Sequence, residues 1–173
     1  MKIERWHDWQ LGVAQARDVQ RQLSLKVSRA GEVIAPRLIA GVDVAAGRAR
    51  GMARAAVVVL SFPELRLVEM EVAQGELNFP YIPGLLSFRE LPLILAACQR
   101  LSMPPDLMMV DGQGIAHPRR MGLASHLGLL LDIPTIGCAK SRLCGSHKLL
   151  AEGSGSYTEL VDRDETIGVA LRT

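Results

Sequence analysis

Three carboxylates lie beside apolar segments of the sequence, at Asp43, Glu90 and Asp111. Asp43 falls within the apolar segment 38–44, where a charged carboxylate is costly unless it is paired or binds a metal ion. Asp111 directly follows the apolar run 107–110 and precedes a Gly-Gln-Gly sequence, at which the backbone can approach a ligand closely. Carboxylate oxygens are the ligands that hard divalent cations prefer. If the three acids converge, they are suited to two-metal hydrolysis of a phosphodiester bond.

Each carboxylate also has a purely structural interpretation. The two aspartates are of a type that often caps a helix or stabilises a turn. Glu90 has the capping-box spacing after Ser87, but Pro92 would then lie inside the helix, where it removes a backbone donor. If the helix instead begins nearer Leu91, Glu90 is free to face the crevice at the strand ends. The residues alone leave these alternatives open.

The elements that must position these acids are predicted from apolar periodicity. Segment 38–74 is predicted to form three antiparallel strands with turns at 47–51 and 61–64, and its apolar run 55–60 suits a central strand buried on both faces. In the third strand apolar residues alternate with glutamates from 68 to 72, which predicts one solvated face. Further helices and strands are predicted over 5–24, 91–101, 107–110, 119–131, 133–137 and 165–171, with a surface loop over 152–158. This order predicts a mixed sheet in an α/β fold.

Composition is that of an ordinary globular protein of 173 residues, with 49% hydrophobic and 22% charged residues. No apolar run reaches the ~20 residues that span a bilayer, and the N-terminus has no apolar signal region, so we expect a cytoplasmic protein. The three cysteines are interpreted as reduced core thiols and His126 as a structural residue.

The net charge of +2 conceals an uneven distribution. Residues 61–111 carry three basic and seven acidic side chains, whereas residues 112–150 carry five basic and one acidic. An acidic segment that meets a basic one suits a metal-dependent enzyme acting on a polyanion.

Four ordered segments resemble the motifs of the endonuclease V family, the deoxyinosine-directed nucleases of DNA repair. They are Gly41–Val44, Asn78–Glu90, Val110–Arg120 and Pro134–Gly145. The resemblance runs from about residue 5 to the end of the chain, and four motifs in order make it far more specific than a lone Gly-x-Gly. Gln113 departs from the pattern, since relatives often hold a histidine there.

The resemblance implies a ribonuclease H-like fold, with an antiparallel three-stranded meander followed by parallel strands and flanking helices, in one domain of residues 1–173. It implies a hydrolase that depends on Mg²⁺, or alternatively Mn²⁺. Such an enzyme cleaves the second phosphodiester bond 3′ to deoxyinosine and leaves 3′-hydroxyl and 5′-phosphate ends. The implied partner is deaminated DNA, with RNA as an alternative and no membrane; the oligomeric state is left open.

The resemblance also carries family roles onto individual residues. Asp43, Glu90 and Asp111 occupy the acidic catalytic and metal-binding positions, and Lys140 falls on the lysine near the scissile phosphate. The strand-separating wedge of the family falls on Pro80, Tyr81, Ile82 and Pro83.

Elementary chemistry supports such a wedge. Two prolines fix their own φ, and Pro83 also restricts the residue before it, so the loop is stiff. Its aromatic tip, Tyr81, can fill the gap that an extruded base leaves, offsetting an unstacking cost of a few kcal/mol. Without the resemblance, Tyr81 would more often be a packed loop aromatic.

A second group of residues can complete a nucleic-acid site. Glycines let backbone groups reach an extruded base, and hypoxanthine differs from adenine in its carbonyl at position 6 and its protonated N1. Arginines can hold phosphates, or can form a solvated basic helix end. A histidine beside Pro118 can contact the nucleic-acid backbone or can simply pack. The residues concerned are Gly84, Gly112, Gly114, His117, Arg119 and Arg120.

Members of the family continue beyond the strand that ends here near Leu171, with a further strand, a helix and an active-site histidine. We therefore expect this chain to lack the family's C-terminal part. Two alternatives to a deoxyinosine endonuclease follow. One is an inactive remnant that binds nucleic acid, and the other is a related ribonuclease H-like nuclease that acts on inosine RNA or structured DNA, since no residue visibly reads a 2′-hydroxyl.

Overall fold

The computed structural model describes residues 1–47 and 51–173, so the middle of the turn predicted over 47–51 lies outside the described residues. The helices are α1 (Val13–Ser24), α2 (Leu86–Cys98) and α3 (Leu123–Leu131). The strands are β1 (Leu38–Ala46), β2 (Met52–Ser61), β3 (Leu67–Glu76), β4 (Leu107–Val110), β5 (Thr135–Gly137), β6 (Ser146–His147), β7 (Tyr157–Asp162) and β8 (Glu165–Leu171).

Five strands form a mixed sheet in the order β3-β2-β1-β4-β5. The strands β1, β2 and β3 pair antiparallel, whereas β4 and β5 are parallel to β1. This arrangement confirms the predicted fold class, a mixed α/β sheet flanked by helices. It also brings Asp43 and Asp111 close together, because Val42 pairs with Val110 and each aspartate is the next residue along the chain.

One face of this sheet carries the main core. Alternate residues of β2 point into it and are almost fully buried, together with apolar side chains of α2 and α3. The residues between them, such as Val58, are half-buried, so the prediction that β2 is buried on both faces is wrong. The opposite face exposes a set of apolar side chains, which are Val68, Met70, Val72, Met109 and Ile136.

The first helix begins later than predicted. The sequence pattern places a helix over 5–24, but α1 begins at Val13. The preceding segment crosses α3 instead: the Trp6 indole Nε1 donates to the Leu129 carbonyl at 3.2 Å, and the Glu4 amide donates to the Leu130 carbonyl at 2.8 Å. Its tryptophans mimic a helical period because they are three residues apart.

The second helix begins at Leu86, which is earlier than a start capped by Ser87 and earlier than a start near Leu91. Leu85 is the N-cap of α2, and Pro92 lies inside the helix. No capping box forms: the Ser87 hydroxyl oxygen is buried and has no hydrogen-bond partner within the described part of the chain. Glu90 therefore lies in the second turn of α2. The third helix is shorter than predicted, because a turn that includes Arg120 at φ 54° delays its start.

A second, three-stranded sheet has the order β6-β7-β8. Strand β8 confirms the prediction of a final strand at 165–171, but it pairs with β7 rather than with the main sheet. The predicted surface loop is mostly exposed, although β7 already begins at Tyr157. Over residues 1–47 and 51–173, the described helices are all too short or too polar to cross a membrane.

Candidate active site

Two aspartates lie on neighbouring strands of the main sheet, with Asp43 within β1, three residues before its end, and Asp111 directly after β4. The Asp111 amide donates to the Val42 carbonyl at 2.9 Å, which extends the β1–β4 pairing by one residue. The Asp43 side chain is exposed, and its Oδ1 accepts a hydrogen bond from the Val44 amide at 2.7 Å. The carboxyl ends of parallel strands are where open α/β sheets bind ligands, so these carboxylates lie where a ligand is expected.

Glu90 faces these aspartates from α2. Burial, together with the negative charges of Asp43 and Asp111, raises the pKa of Glu90 from its ordinary 4.5 to about 7, against a smaller opposing effect of Arg89. The three carboxylates therefore share one electrostatic environment, although they come from three separate elements. Like charges held together in this way are stabilised by a cation.

Lys140 supplies a positive charge at the same edge. Its Nζ donates a hydrogen bond to Asp111 Oδ2. This bond and the charge of Asp111 raise the pKa of Lys140, and Asp43 adds to the effect. The side chain is otherwise largely exposed, so its ammonium is held at the acids and remains open to solvent.

The carboxylates fit a divalent cation by their chemistry, since all their donor atoms are the oxygens that Mg²⁺ prefers. Their crowding fits as well, because two negative charges oppose the ionisation of Glu90. In the arrangement over residues 1–47 and 51–173, no three His, Cys, Asp or Glu side chains are close enough together to surround one metal ion. The three carboxylates thus lie near one edge of the sheet but do not surround a single metal position.

A cavity of about 270 Å³ opens beside Asp111. Its walls come from the loop 81–84, from the segment 111–113 and from the segment 139–141, with Gln20 and His117 at its lining. The cavity therefore brings together three predicted features, namely the wedge, the glycine-rich segment and Lys140. The backbone near it is tightly packed: a Cβ built on Gly137 would lie 2.3 Å from the Gly114 nitrogen.

The predicted wedge is an exposed loop with firmly held ends. Tyr81 at its tip is 72% exposed, and the prolines on either side are exposed as well. Ile82 is half-buried and packs against the apolar cluster that contains Phe79 and Phe88. Arg89 donates to the carbonyl of Phe79 at one end of the loop, and the carbonyl of Gly84 is bound at the other.

His117 is buried and hydrogen-bonded on both ring nitrogens. Its Nε2 lies 3.0 Å from the Gly84 carbonyl oxygen, and its Nδ1 accepts from the Arg119 amide at 3.1 Å. These partners require a neutral ring with its proton on Nε2. Burial lowers the pKa of His117 to about 4, which maintains that form at neutral pH.

The two arginines that follow are bound to protein groups. Arg119 donates to the Gly84 carbonyl at 2.8 Å and, through Nε, to Gln20 Oε1 at 2.6 Å. Arg120 bonds Asp162 and Glu165, each at 2.8 Å, and so ties the second sheet to this segment. These contacts give both residues a structural role, and their predicted role in holding phosphates stays a prediction.

Sequence reasoning missed Gln20, which is 1% exposed. It lies on the buried side of α1 between Ala16 and Leu23. A polar residue in an apolar helical stripe was the signal that could have revealed it, because a buried amide must have hydrogen-bond partners.

The fold and the site define an α/β protein with an acidic, cation-attracting edge beside a cavity at the carboxyl ends of parallel strands. The chain matches the family model described as Endonuclease V over residues 19–173, and it belongs to the endonuclease V family. Members of this family are endonucleases, which are hydrolases acting on DNA. The predicted family, fold class and enzyme class are thereby confirmed.

Relatives resemble the chain over its whole length. The endonuclease V of Dehalococcoides mccartyi is 51% identical over 173 residues, which are 100% of this chain and 78% of that protein. The solved endonuclease V of Bacillus subtilis is 31% identical with a TM-score of 0.92, covering 100% of this chain and 76% of that one. The endonuclease V of Ciona intestinalis, solved with a 24mer DNA containing an inosine followed by a ribo-adenosine, is 26% identical with a TM-score of 0.78, covering 92% and 76%.

Proposed function

We propose that this protein is a metal-dependent endonuclease that cuts DNA on the 3′ side of deoxyinosine. The observation that carries the proposal is the grouping of Asp43 and Asp111, whose negative charges add to burial in raising the pKa of Glu90, next to a cavity that lies under a stiff exposed loop. The Ciona intestinalis relative bound to inosine-containing DNA supports the choice of partner.

Asp43, Asp111 and Glu90 would hold Mg²⁺, with Mn²⁺ as an alternative. Such a cation activates the attacking water and stabilises the charge on the leaving oxygen. The chain's own contribution is to fix the carboxylates: the strand pairing of β1 with β4 sets the two aspartates, and α2 sets Glu90. Binding a cation would favour ionised Glu90, whose pKa is otherwise raised to about 7.

Lys140 would contact the phosphate that is cut. Its ammonium is exposed and already held at Asp111 by a hydrogen bond. An anionic phosphate arriving at this edge would meet that charge first, since the carboxylates alone would repel it. The residue thereby positions the phosphate beside the acids.

The wedge loop would separate the strands, and the cavity would receive the extruded base. Tyr81 is exposed at the loop's tip, as a residue that replaces a base in the stack must be. The cavity's volume of about 270 Å³ lies near the lower end for small-ligand sites, roughly 300–1,000 Å³. Backbone groups of Gly112, which lines the cavity, would then distinguish hypoxanthine from adenine, whereas Gly114 lies outside the lining and its carbonyl accepts from the Gly122 amide at 2.9 Å.

The test is cleavage of end-labelled duplexes that differ at one position, deoxyinosine or deoxyadenosine, with Mg²⁺ or Mn²⁺. The expected result is one nick, at the second phosphodiester bond 3′ to deoxyinosine, with 3′-hydroxyl and 5′-phosphate ends. An Asp43→Ala variant, run in parallel, should give no product. Equal nicking of both duplexes, or a nick that Asp43→Ala leaves undiminished, would overturn the proposal, and faster cleavage of inosine RNA would reassign the substrate.

A further inference from the structure

We infer that Gln20, a buried residue of α1 remote in sequence from every motif of the site, is a positioning residue for the wedge loop. The inference rests on the proposed function, because it gives that loop its role. Gln20 lines the cavity beside the loop, and its side-chain amide joins α1 to the end of the wedge loop and to the segment before α3.

The amide of Gln20 is fully used. Its Nε2 donates to the Gly84 carbonyl at 3.0 Å, where the wedge loop ends, and to the Met121 carbonyl at 2.9 Å, just before α3. Its Oε1 accepts from Arg119 Nε at 2.6 Å. A residue that is 1% exposed and supplies two donations and one acceptance leaves no part of its amide to solvent.

The carbonyl of Gly84 is the point where these contacts converge. It accepts from Gln20 Nε2, from His117 Nε2 and from Arg119 Nη2, all within 3.0 Å. Gly84 has φ +79°, and a Cβ at this residue would lie 2.9 Å from Arg119 Nη2. The end of the wedge loop is therefore held by three donors, and a larger residue at position 84 would require Arg119 Nη2 to move.

The tip of the loop is held differently. Tyr81 is 72% exposed, so the direction of its ring is set by the two ends of the loop rather than by packing of the ring itself. One end is bound by Arg89, which lies on α2. The other is bound by Gln20, which lies on α1, together with His117 and Arg119. Loss of the Gln20 side chain would remove one donor from Gly84 and the acceptor that orients Arg119, and would let the tip change its direction.

The side-chain chemistry at position 20 predicts which substitutions matter. Leucine has a similar size but leaves Arg119 Nε without its acceptor, removes the Gln20 donor from the Met121 carbonyl, and removes one of the three donors to the Gly84 carbonyl. Glutamate keeps the acceptor for Arg119 but places a carboxylate against the oxygens of Gly84 and Met121. Gln22 lies on the same helix and is exposed, so Gln22→Leu is a matched control.

The experiment compares wild type, Gln20→Leu, Gln20→Glu and Gln22→Leu by two measurements. Amide hydrogen exchange, followed by mass spectrometry, reports on residues 78–86 without requiring activity. Cleavage rates with Mg²⁺ are measured on deoxyinosine in a duplex and in a single strand, because a wedge is needed for strand separation in the duplex alone. A small displacement of positioning groups can cost up to about a hundredfold in rate, and we expect the duplex-to-single-strand ratio to fall about tenfold in both Gln20 variants.

Faster exchange confined to residues 78–86, with the fallen ratio, supports the inference. A ratio and an exchange pattern equal to those of Gln22→Leu would overturn it. Faster exchange throughout the protein would also overturn it, since Gln20 would then stabilise the fold in general. If wild type cleaves neither substrate, the proposed function fails, while the exchange data still decide whether Gln20 holds the loop.

Discussion

The acidic edge and the end of the wedge loop lie on the same cavity and are built in opposite ways. At the acidic edge, Asp43, Glu90 and Asp111 gather like charges, and Lys140 is the cation that bonds to one of them. At the loop end, donors of three side chains converge on the carbonyl of Gly84. The first region has more negative charge than its contacts balance, whereas the second satisfies its polar groups internally.

This difference supports the proposal that the acidic edge binds a cation and that the contacts at the loop end hold the wedge loop in place. Strand pairing brings the two aspartates together, and burial with their negative charges raises the pKa of Glu90, so that a bound cation would favour the ionised carboxylates. The loop end needs no added group, because its hydrogen bonds are complete without one. Substitutions at the acidic edge should therefore slow the cleavage step itself. Substitutions at the loop end should instead lower stability or impair strand separation.

The largest expected effect is loss of cleavage at the acidic edge. Asp111→Asn removes a charge but keeps the shape, and we expect deoxyinosine cleavage with Mg²⁺ to fall about a thousandfold or more, since metal stabilisation of the reacting charges is worth several kcal/mol. The midpoint temperature of thermal unfolding should stay the same or rise slightly. Glu152→Gln, in the exposed loop before β7, is the charge-matched control. Retention of a tenth of the wild-type rate would contradict this role.

The next effect is a loss of stability at the loop end. Gly84→Ala and Gly155→Ala both place alanine at a positive φ, +79° and +82° respectively. At Gly155 no described atom lies within 4 Å of the added Cβ, whereas at Gly84 Arg119 Nη2 is 2.9 Å away. Urea unfolding should show Gly84→Ala to be the less stable variant by about 1–3 kcal/mol, the usual cost of overpacking. Equal losses would mean that the close contacts at Gly84 carry no energy.

A smaller effect is expected at the tip of the wedge. Tyr81 and Tyr157 are 72% and 71% exposed, so Tyr157→Ala is a matched control for Tyr81→Ala. Both substitutions should leave stability within about 0.5 kcal/mol of wild type, as is usual for surface positions. Only Tyr81→Ala should slow duplex cleavage, by about tenfold, since stacking of an aromatic ring on a base is worth about 1–3 kcal/mol. Equal rates of duplex cleavage for the two variants would show that Tyr81 does not take part in strand separation.

The smallest effect is a pH dependence of stability that belongs to Glu90. Its pKa is raised to about 7 in the folded protein from an ordinary 4.5, so its contribution to stability is fully present below pH 4.5 and is lost as the pH rises through about 7. Glu90→Gln does not titrate. Without metal, we expect wild type to lose about 1 kcal/mol relative to Glu90→Gln between pH 5 and pH 8, a value reduced for partial exposure.

Urea unfolding of both proteins at the two pH values measures this difference. His117 has the opposite dependence, because its pKa is lowered to about 4 and its contribution is lost as the pH falls. Both proteins retain His117, so its effect cancels in the comparison. Added Mg²⁺ should reduce the dependence, since a cation favours the ionised Glu90. A constant difference across the pH range would show that neither burial nor the neighbouring aspartates raise the pKa of Glu90.

Parts of this account were predictable from sequence and parts were not. The meeting of Asp43 and Asp111 was predicted from acids within or directly after apolar runs, because the carboxyl ends of parallel strands lie at one edge of a sheet. The position of Glu90 came from resemblance to a family, since local rules pointed to two incompatible helix starts. The helix itself begins at Leu86, where packing against the sheet outweighs the unfavourable Pro92 inside it.

The contacts that hold the wedge loop could not be predicted from local sequence patterns. Gln20 and Gly84 are 64 residues apart, and Arg120 and Asp162 are 42 apart, so their partners are set by the tertiary fold. Periodicity also placed the start of α1 too early, because Trp6 packs across α3 at a spacing that imitates a helix. The exposed apolar side chains on the second face of the sheet, such as Met70, could not be told from core residues by alternation alone.

Binding of Mg²⁺, measured by titration calorimetry, tests most directly the claim that the acidic edge takes the cation and the loop end does not. We predict that wild type and Gln20→Leu bind Mg²⁺ alike, whereas Asp43→Asn and Asp111→Asn lose binding. Unchanged Mg²⁺ binding in both aspartate variants would contradict the account, because the cation would then be held elsewhere.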